Sequence, residues 1–151
     1  MRQTQKTLKS LQNRFHSTCV VCGEKNPSGM KLPFRLSRDG SVSARFFCSQ
    51  LLQGYPGLMH GGVIAAILDG AMVNCLFAHG KTAVTASLTV RFLFPVVSKK
   101  PAVIKAWIKR ANSPLHLVES ALVQNRRVVA RATAKFMECS EHFLKQNIIT
   151  A

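Results

Sequence analysis

HGGVIAAILDGAMVNCLFAHG, residues His60 to Gly80, is the stretch from which the fold is read. Val63 to Leu68 are apolar without a break, and after Asp69 the run resumes through Ala71, Met72, Cys75, Leu76 and Phe77. No i, i+3, i+4 stripe separates a wet face from a dry one, so the helix is expected to be buried on every side. A membrane span needs about 20 apolar residues, and Asp69 and Asn74 interrupt this run too soon for one. The stretch therefore predicts a central helix wrapped by other elements, with no membrane span.

Asp69 is the anomaly in that helix. The chain holds six carboxylate side chains: Glu24, Asp39, Asp69, Glu119, Glu138 and Glu141. Asp69 sits where burial costs most, and a buried carboxylate either finds a partner or shifts its pKa. It is thus either a structural acid that caps a loop or pairs with an Arg, or a catalytic acid or base.

His60-Gly61-Gly62 opens the helix. Two glycines at a helix start expose backbone N–H donors at the positive end of the dipole, which suits a carbonyl oxygen gaining negative charge. A Gly-Gly turn needed only for its dihedrals is the plainer alternative. Seven residues separate Gly62 from Asp69, so the two share a face about 10 Å apart. One helix cannot bring both to the same reacting carbon. If both are catalytic, a second, antiparallel copy of the helix must carry its Asp69 to this Gly62, and the site occurs twice across a dimer interface.

Outward from the helix, QLLQGYPGLM (50–59) reads as a loop delivering the chain into His60, and Gly80 as its C-cap. Residues 30–38 and 42–48 read as strands around the Arg38-Asp39-Gly40-Ser41 turn. Four further strands are expected at 85–94, 102–110, 115–124 and 128–137, joined by short turns and hence antiparallel. Leu8, Leu11 and Phe15 predict a short amphipathic helix over 3–15, covering a sheet edge. The expected organisation is an extension at 1–18, one α+β domain at 19–139 whose curved antiparallel sheet wraps the long helix, and a tail at 140–151.

Cys19-Val-Val-Cys22 could be half of a zinc site, but no second pair follows, and His16 and Cys48 would have to complete it through the fold. The expectation is no metal: a tight turn with two small buried thiols. Five cysteines, an odd number, with no apolar signal segment point to free thiols in a reducing, cytoplasmic compartment. The first 23 residues carry no acid, a trait shared with transit peptides.

The net charge is +15, from 21 basic and six acidic residues. Nucleic acid, an anionic surface or a polyanionic small molecule could answer it. One Trp and one Tyr, with Lys and Arg scattered, argue against nucleic acid without closing that possibility.

LLQGYPGLMHGGVIAAILDGAM (51–72), followed by TASLTVRFLFPV (85–96), resembles the hotdog-fold acyl-CoA thioesterases, the PaaI-like group in particular. CVVCGEKNPSGM (19–30) resembles the N-terminal segment of many members, and the likeness covers roughly residues 19–138. The resemblance implies a hotdog fold paired into dimers and often tetramers, with Asp69 as general base or nucleophile. It also implies Gly61 and Gly62 as the helix N-terminus that polarises the thioester carbonyl, and His60 as a positioning residue. Coenzyme A enters only as part of the substrate, and no cofactor is implied. Its phosphates would lie on basic residues, with Arg91, Lys99, Lys100, Lys109 and Arg110 as candidates. Leu58, Phe92 and Phe94 would line the acyl slot. Two departures stand out: Gly54 replaces an Asn six residues before the His, with Gln53 beside it as a substitute, and Gly70 replaces an acid after the Asp. A non-catalytic module binding an acyl-CoA or another polyanion is the alternative. A dehydratase, which wants a His facing the acid, ranks below both.

Overall fold

The computed structural model describes residues 4–149. In chain order its elements are α1 (Gln5–Phe15), β1 (Arg35–Leu36), β2 (Val42–Phe47), a 3-10 turn (Gln50–Leu52), α2 (Gly61–Ala78), β3 (Ala83–Phe92), β4 (Pro101–Asn112), β5 (Leu115–Gln124), β6 (Arg127–Glu138) and α3 (Glu141–Ile149). The six strands form one antiparallel sheet in the order β1-β2-β4-β5-β6-β3, curved around α2. That is the α+β hotdog architecture expected from the sequence.

Alternation builds the inner face of the sheet. Ala102, Ile104 and Ala106 of β4, Val118 and Leu122 of β5, and Ala130, Ala132, Ala134 and Phe136 of β6 are buried. The many alanines let α2 lie close to the strands. From the helix, Ile67, Leu68, Met72, Leu76 and Phe77 are buried almost completely, each worth about 1.5–3 kcal/mol of transfer free energy. Breaks in register at Thr85/Ser87, Ile108/Arg110 and Leu122/Val123 bend the strands around the helix. By length and composition α2 could cross a membrane, but 67% of it is buried inside this protein.

α2 is not buried all round, which corrects the sequence expectation. Gly62, Ala65, Ala66 and Asp69, at i, i+3, i+4 and i+7, stay partly or fully exposed along one stripe. Beside this stripe β3 is a sheet edge, bonded to β6 on one side only. Val84, Leu88 and Phe92 on it each keep more than a third of their surface exposed.

Three other expectations are corrected. The first strand is two residues long, not nine: Lys31 has φ 52°, Pro33 has no N–H, and Leu32 N–H donates to Val21 O instead of a strand. α1 packs chiefly on α2, its Leu8 and Leu11 entering the common core, and meets the β1 edge through Gln5, which accepts from Leu36 N–H and donates to Phe34 O. A buried hydrogen bond from Gln12 Nε2 to Asn74 Oδ1 (2.6 Å) locks the two helices together. Residues 141–149 are helical, capped by Ser140 Oγ, which accepts from Phe143 N–H, and tied back by the Arg14–Glu141 ion pair.

Candidate active site

The N-terminus of α2 is shaped by His60. Its Nδ1 accepts the Gly62 N–H at 2.9 Å, and its own N–H donates to Leu52 O. Gly62 is therefore taken up in capping. Of the two expected oxyanion donors, only the Gly61 N–H has no acceptor among the described residues. Gly54 backs this arrangement: a Cβ there would stand 3.2 Å from His60 Cδ2, so an Asn at this position would need the His60 ring to give by a few tenths of an ångström. Gln53 is also occupied, since its Oε1 accepts the Gly57 N–H.

Gly61 opens onto a cavity of about 310 Å³ lined by Leu58, Phe92 and Phe94 together with Tyr55, Ile64 and Val96. The three apolar residues expected to form a slot are thus brought together beside the helix N-terminus. Arg127 stacks its guanidinium 3.4 Å above the Phe94 ring. Lys99 and Lys100 lie at this end of the helix, because Met59 N–H donates to Val96 O and Ser98 N–H to Gly57 O. Arg91 precedes Phe92 on the open edge strand. Lys109 and Arg110 are not part of this group. They sit at the far end of β4, about 30 Å along the strand from Lys100, and Lys109 is paired with Glu119.

Asp69 faces a different cavity, of about 330 Å³, lined by Phe15, His16, Val73, Phe77, Val84, Thr85 and Leu144 among others. No residue lines both cavities. Thr85 Oγ1 donates to Asp69 Oδ1 at 2.8 Å. Each of the other five carboxylates pairs with a Lys or Arg: Glu24 with Lys9, Asp39 with Lys105, Glu119 with Lys109, Glu138 with Lys81 and Glu141 with Arg14. Among the described residues Asp69 alone has no such partner. Burial pushes its pKa up, and the Thr85 bond and the nearby His16 only partly oppose this.

His16 enters the sequence reading only as a remote ligand for a lone C-x-x-C, yet it stands in this cavity wall against Cys22. Cys22 is buried as expected, but Cys19 is partly exposed, and Cys48 lies elsewhere, by Gln124. Hydrogen bonding from Cys22, and then from His16, draws the Cys19 pKa down, while its bond to Cys19 pushes that of Cys22 up. Gly70 has a steric reason of its own: a Cβ there would stand 2.7 Å from Val21 Cγ1 in the Cys19–Cys22 turn. An acid at position 70 is incompatible with this turn as seated.

Residues 56–131, half of the chain, match the family model of the thioesterase superfamily. A mouse protein, acyl-coenzyme A thioesterase THEM4, is 28% identical over 89 residues, covering 58% of this chain and 38% of its own. The chain thus spans little more than a third of that relative. Among solved structures, a hypothetical thioesterase with coenzyme A from Streptococcus pneumoniae superposes with a TM-score of 0.73 at 18% identity, covering 85% of this chain and 97% of the other. Zebra fish thioesterase superfamily member 2 does so with a TM-score of 0.72 at 14% identity, covering 89% and 99%. The wrapped helix, the order of the six strands and a family match across half the residues agree: the chain belongs to the thioesterase superfamily, in its hotdog fold.

Proposed function

We propose that this protein hydrolyses the thioester of an acyl-coenzyme A, working as a homodimer in which each site takes Asp69 from one protomer and the Gly61 amide from the other. The observation that carries the reading is the state of Asp69: among the described residues the one carboxylate without a cation, half-buried in a cavity, with a raised pKa. The relative named as an acyl-CoA thioesterase and the neighbour that holds coenzyme A support the substrate class.

A site built this way needs two chains. Gly61 and Asp69 lie eight residues apart on one helix, about 12 Å, and open into separate cavities. An antiparallel partner helix, packed on the exposed stripe, brings the two together. The residue midway between them is Ala65, so the two-fold axis passes beside Ala65, where small side chains permit close approach. The same docking covers the open β3 edge, a ten-residue strand that would otherwise template aggregation.

In the proposed reaction the Gly61 N–H donates to the thioester oxygen as it becomes an oxyanion. Thr85 occupies Asp69 Oδ1, which leaves Oδ2 to accept a proton from water as that water attacks the carbonyl carbon. Collapse of the tetrahedral intermediate breaks the C–S bond, and the proton held by Asp69 returns to the departing sulfur. Lys99 and Lys100, at the same end of α2, and Arg91, on the β3 edge, are the residues to which the phosphates of coenzyme A would bind, and Leu58, Phe92 and Phe94 would hold apolar substrate. The test is thiol release from short, medium, long and aromatic acyl-CoAs by wild type and Asp69→Asn. Turnover that collapses in the folded variant supports the reading. Equal, negligible rates across the panel sink it and leave a binding module.

A further inference from the structure

His16, Cys19 and Cys22 form a second cluster whose geometry the thioesterase reading does not use. Their ligating atoms all lie within 4.8 Å of one another, and Cys22 Sγ stands 3.6 Å from His16 Nδ1. With Zn–S near 2.3 Å and Zn–N near 2.0–2.1 Å at tetrahedral angles, two such ligands of one ion are separated by about 3.6 Å, and two thiolates by about 3.8 Å. The His–Cys edge is already at that length. The longest possible edge closes with a shift of about 1 Å.

The backbone holds the cluster in place. Val21 N–H donates to Cys19 Sγ at 3.4 Å, Cys19 N–H donates to His16 O, and Gly23 N–H to Cys19 O. The turn is wound so tightly that a Cβ at Gly23 would stand 2.3 Å from Cys19 N. On α2, Gly70 leaves the space that Val21 fills, so the helix is carved to seat this turn. His16 itself is fixed as the C-cap of α1, with its ring edge-on to Phe77 at 4.9 Å.

From this arrangement we infer that His16, Cys19 and Cys22 bind one Zn²⁺ per protomer, with water or a small anion in the fourth position. Two thiols and an imidazole select a borderline-soft divalent ion over Mg²⁺ or Ca²⁺. Binding releases the Cys19 and Cys22 thiol protons to buffer, and the His16 Nδ1 lone pair faces the metal, so the ion with its two thiolates is neutral overall. Because His16 lines the Asp69 cavity, the ion ties that wall to the Cys19–Cys22 turn. The site does not depend on the thioesterase reading.

The test uses the full chain, reduced and stripped with a chelator, then titrated with Co²⁺ and back-titrated with Zn²⁺. The expected result is thiolate-to-cobalt charge-transfer bands with tetrahedral d–d intensity, saturating at one ion per protomer and erased by Zn²⁺, with a higher melting temperature in Zn²⁺. His16→Gln and Cys19→Ser, each checked for fold by circular dichroism, should weaken binding by at least about tenfold. Cys139→Ser should not. Because Cys22 is buried, the two less buried ligands decide the outcome if its variant misfolds. Reduced wild type with reactive thiols but no thiolate-to-cobalt bands overturns the inference, as does undiminished binding in the folded His16→Gln/Cys19→Ser variant.

Discussion

Gly61→Pro removes one hydrogen-bond donor and little else. Gly61 is the first residue of α2, where proline's fixed φ suits the helix and the lost N–H breaks no bond within the protein. The residue before it, His60, has φ −64° and ψ 134°, the extended conformation that a following proline requires. A Cβ at position 61 would meet the Phe92 ring at 3.6 Å, an ordinary contact. Stability should therefore change by less than about 0.5 kcal/mol, as for a substitution that disturbs no packing. If the Gly61 amide is the oxyanion donor, kcat should fall by about 10²–10³. The assay is thiol release at saturating acyl-CoA, beside a urea denaturation curve. Turnover within about threefold of wild type in the folded variant refutes the assignment, since a lost oxyanion donor costs far more.

Burial raises the Asp69 pKa above its ordinary 3.8, so the folded chain holds that proton more tightly than the unfolded chain. The resulting stability is fully present below the unfolded value and is lost as pH rises through the folded pKa. Asp69→Asn should therefore be at least as stable as wild type at neutral pH, measured by urea midpoint, even as it loses turnover. Thr85→Val removes the hydrogen bond that restrains that shift, so the acid limb of kcat/KM should move to higher pH, at a cost of about 0.5–1.5 kcal/mol in stability. Ala65→Arg, beside the proposed two-fold axis, should yield an inactive monomer by sedimentation equilibrium. Gly70→Ala presses a Cβ to 2.7 Å from Val21 Cγ1 and should cost about 1–3 kcal/mol, partly recovered by adding Val21→Ala.

The sequence of α2 carried most of what the fold displays. An all-apolar helix with a single carboxylate, a Gly-Gly start and Gly80 beyond its end, at φ 71°, could be read from residue types alone. Periodicity also located β2 to β6, because their alternation is local. It was silent where long-range partners decide. Met30 to Phe34 has strand composition but bonds to the Cys19–Cys22 turn, which no local pattern announces. β3 crosses to the far edge beside β6, and adjacency in sequence offers no hint of that. Both glycines of His60-Gly61-Gly62 looked equally able to donate. Only the position of the His60 ring, folded back onto Gly62, separates them. The ring of His16 likewise meets Cys22 through a loop whose spacing, His-x-x-Cys-x-x-Cys, was the one available signal. Ser140-Glu141 is a helix-start signature that would have disclosed α3.

Mixing Gly61→Pro with Asp69→Asn asks whether one site draws on two chains. Each variant alone has two disabled sites per dimer. In the mixed dimer one site pairs an intact Asp69 with an intact Gly61 amide, while the other carries both defects. Refolding the two variants together in equal amounts makes half of the dimers mixed, so activity should return to about a quarter of wild type. A mixture shown by native mass spectrometry to contain mixed dimers, yet no more active than its parents, would mean that Asp69 and the Gly61 amide of different protomers do not share a site.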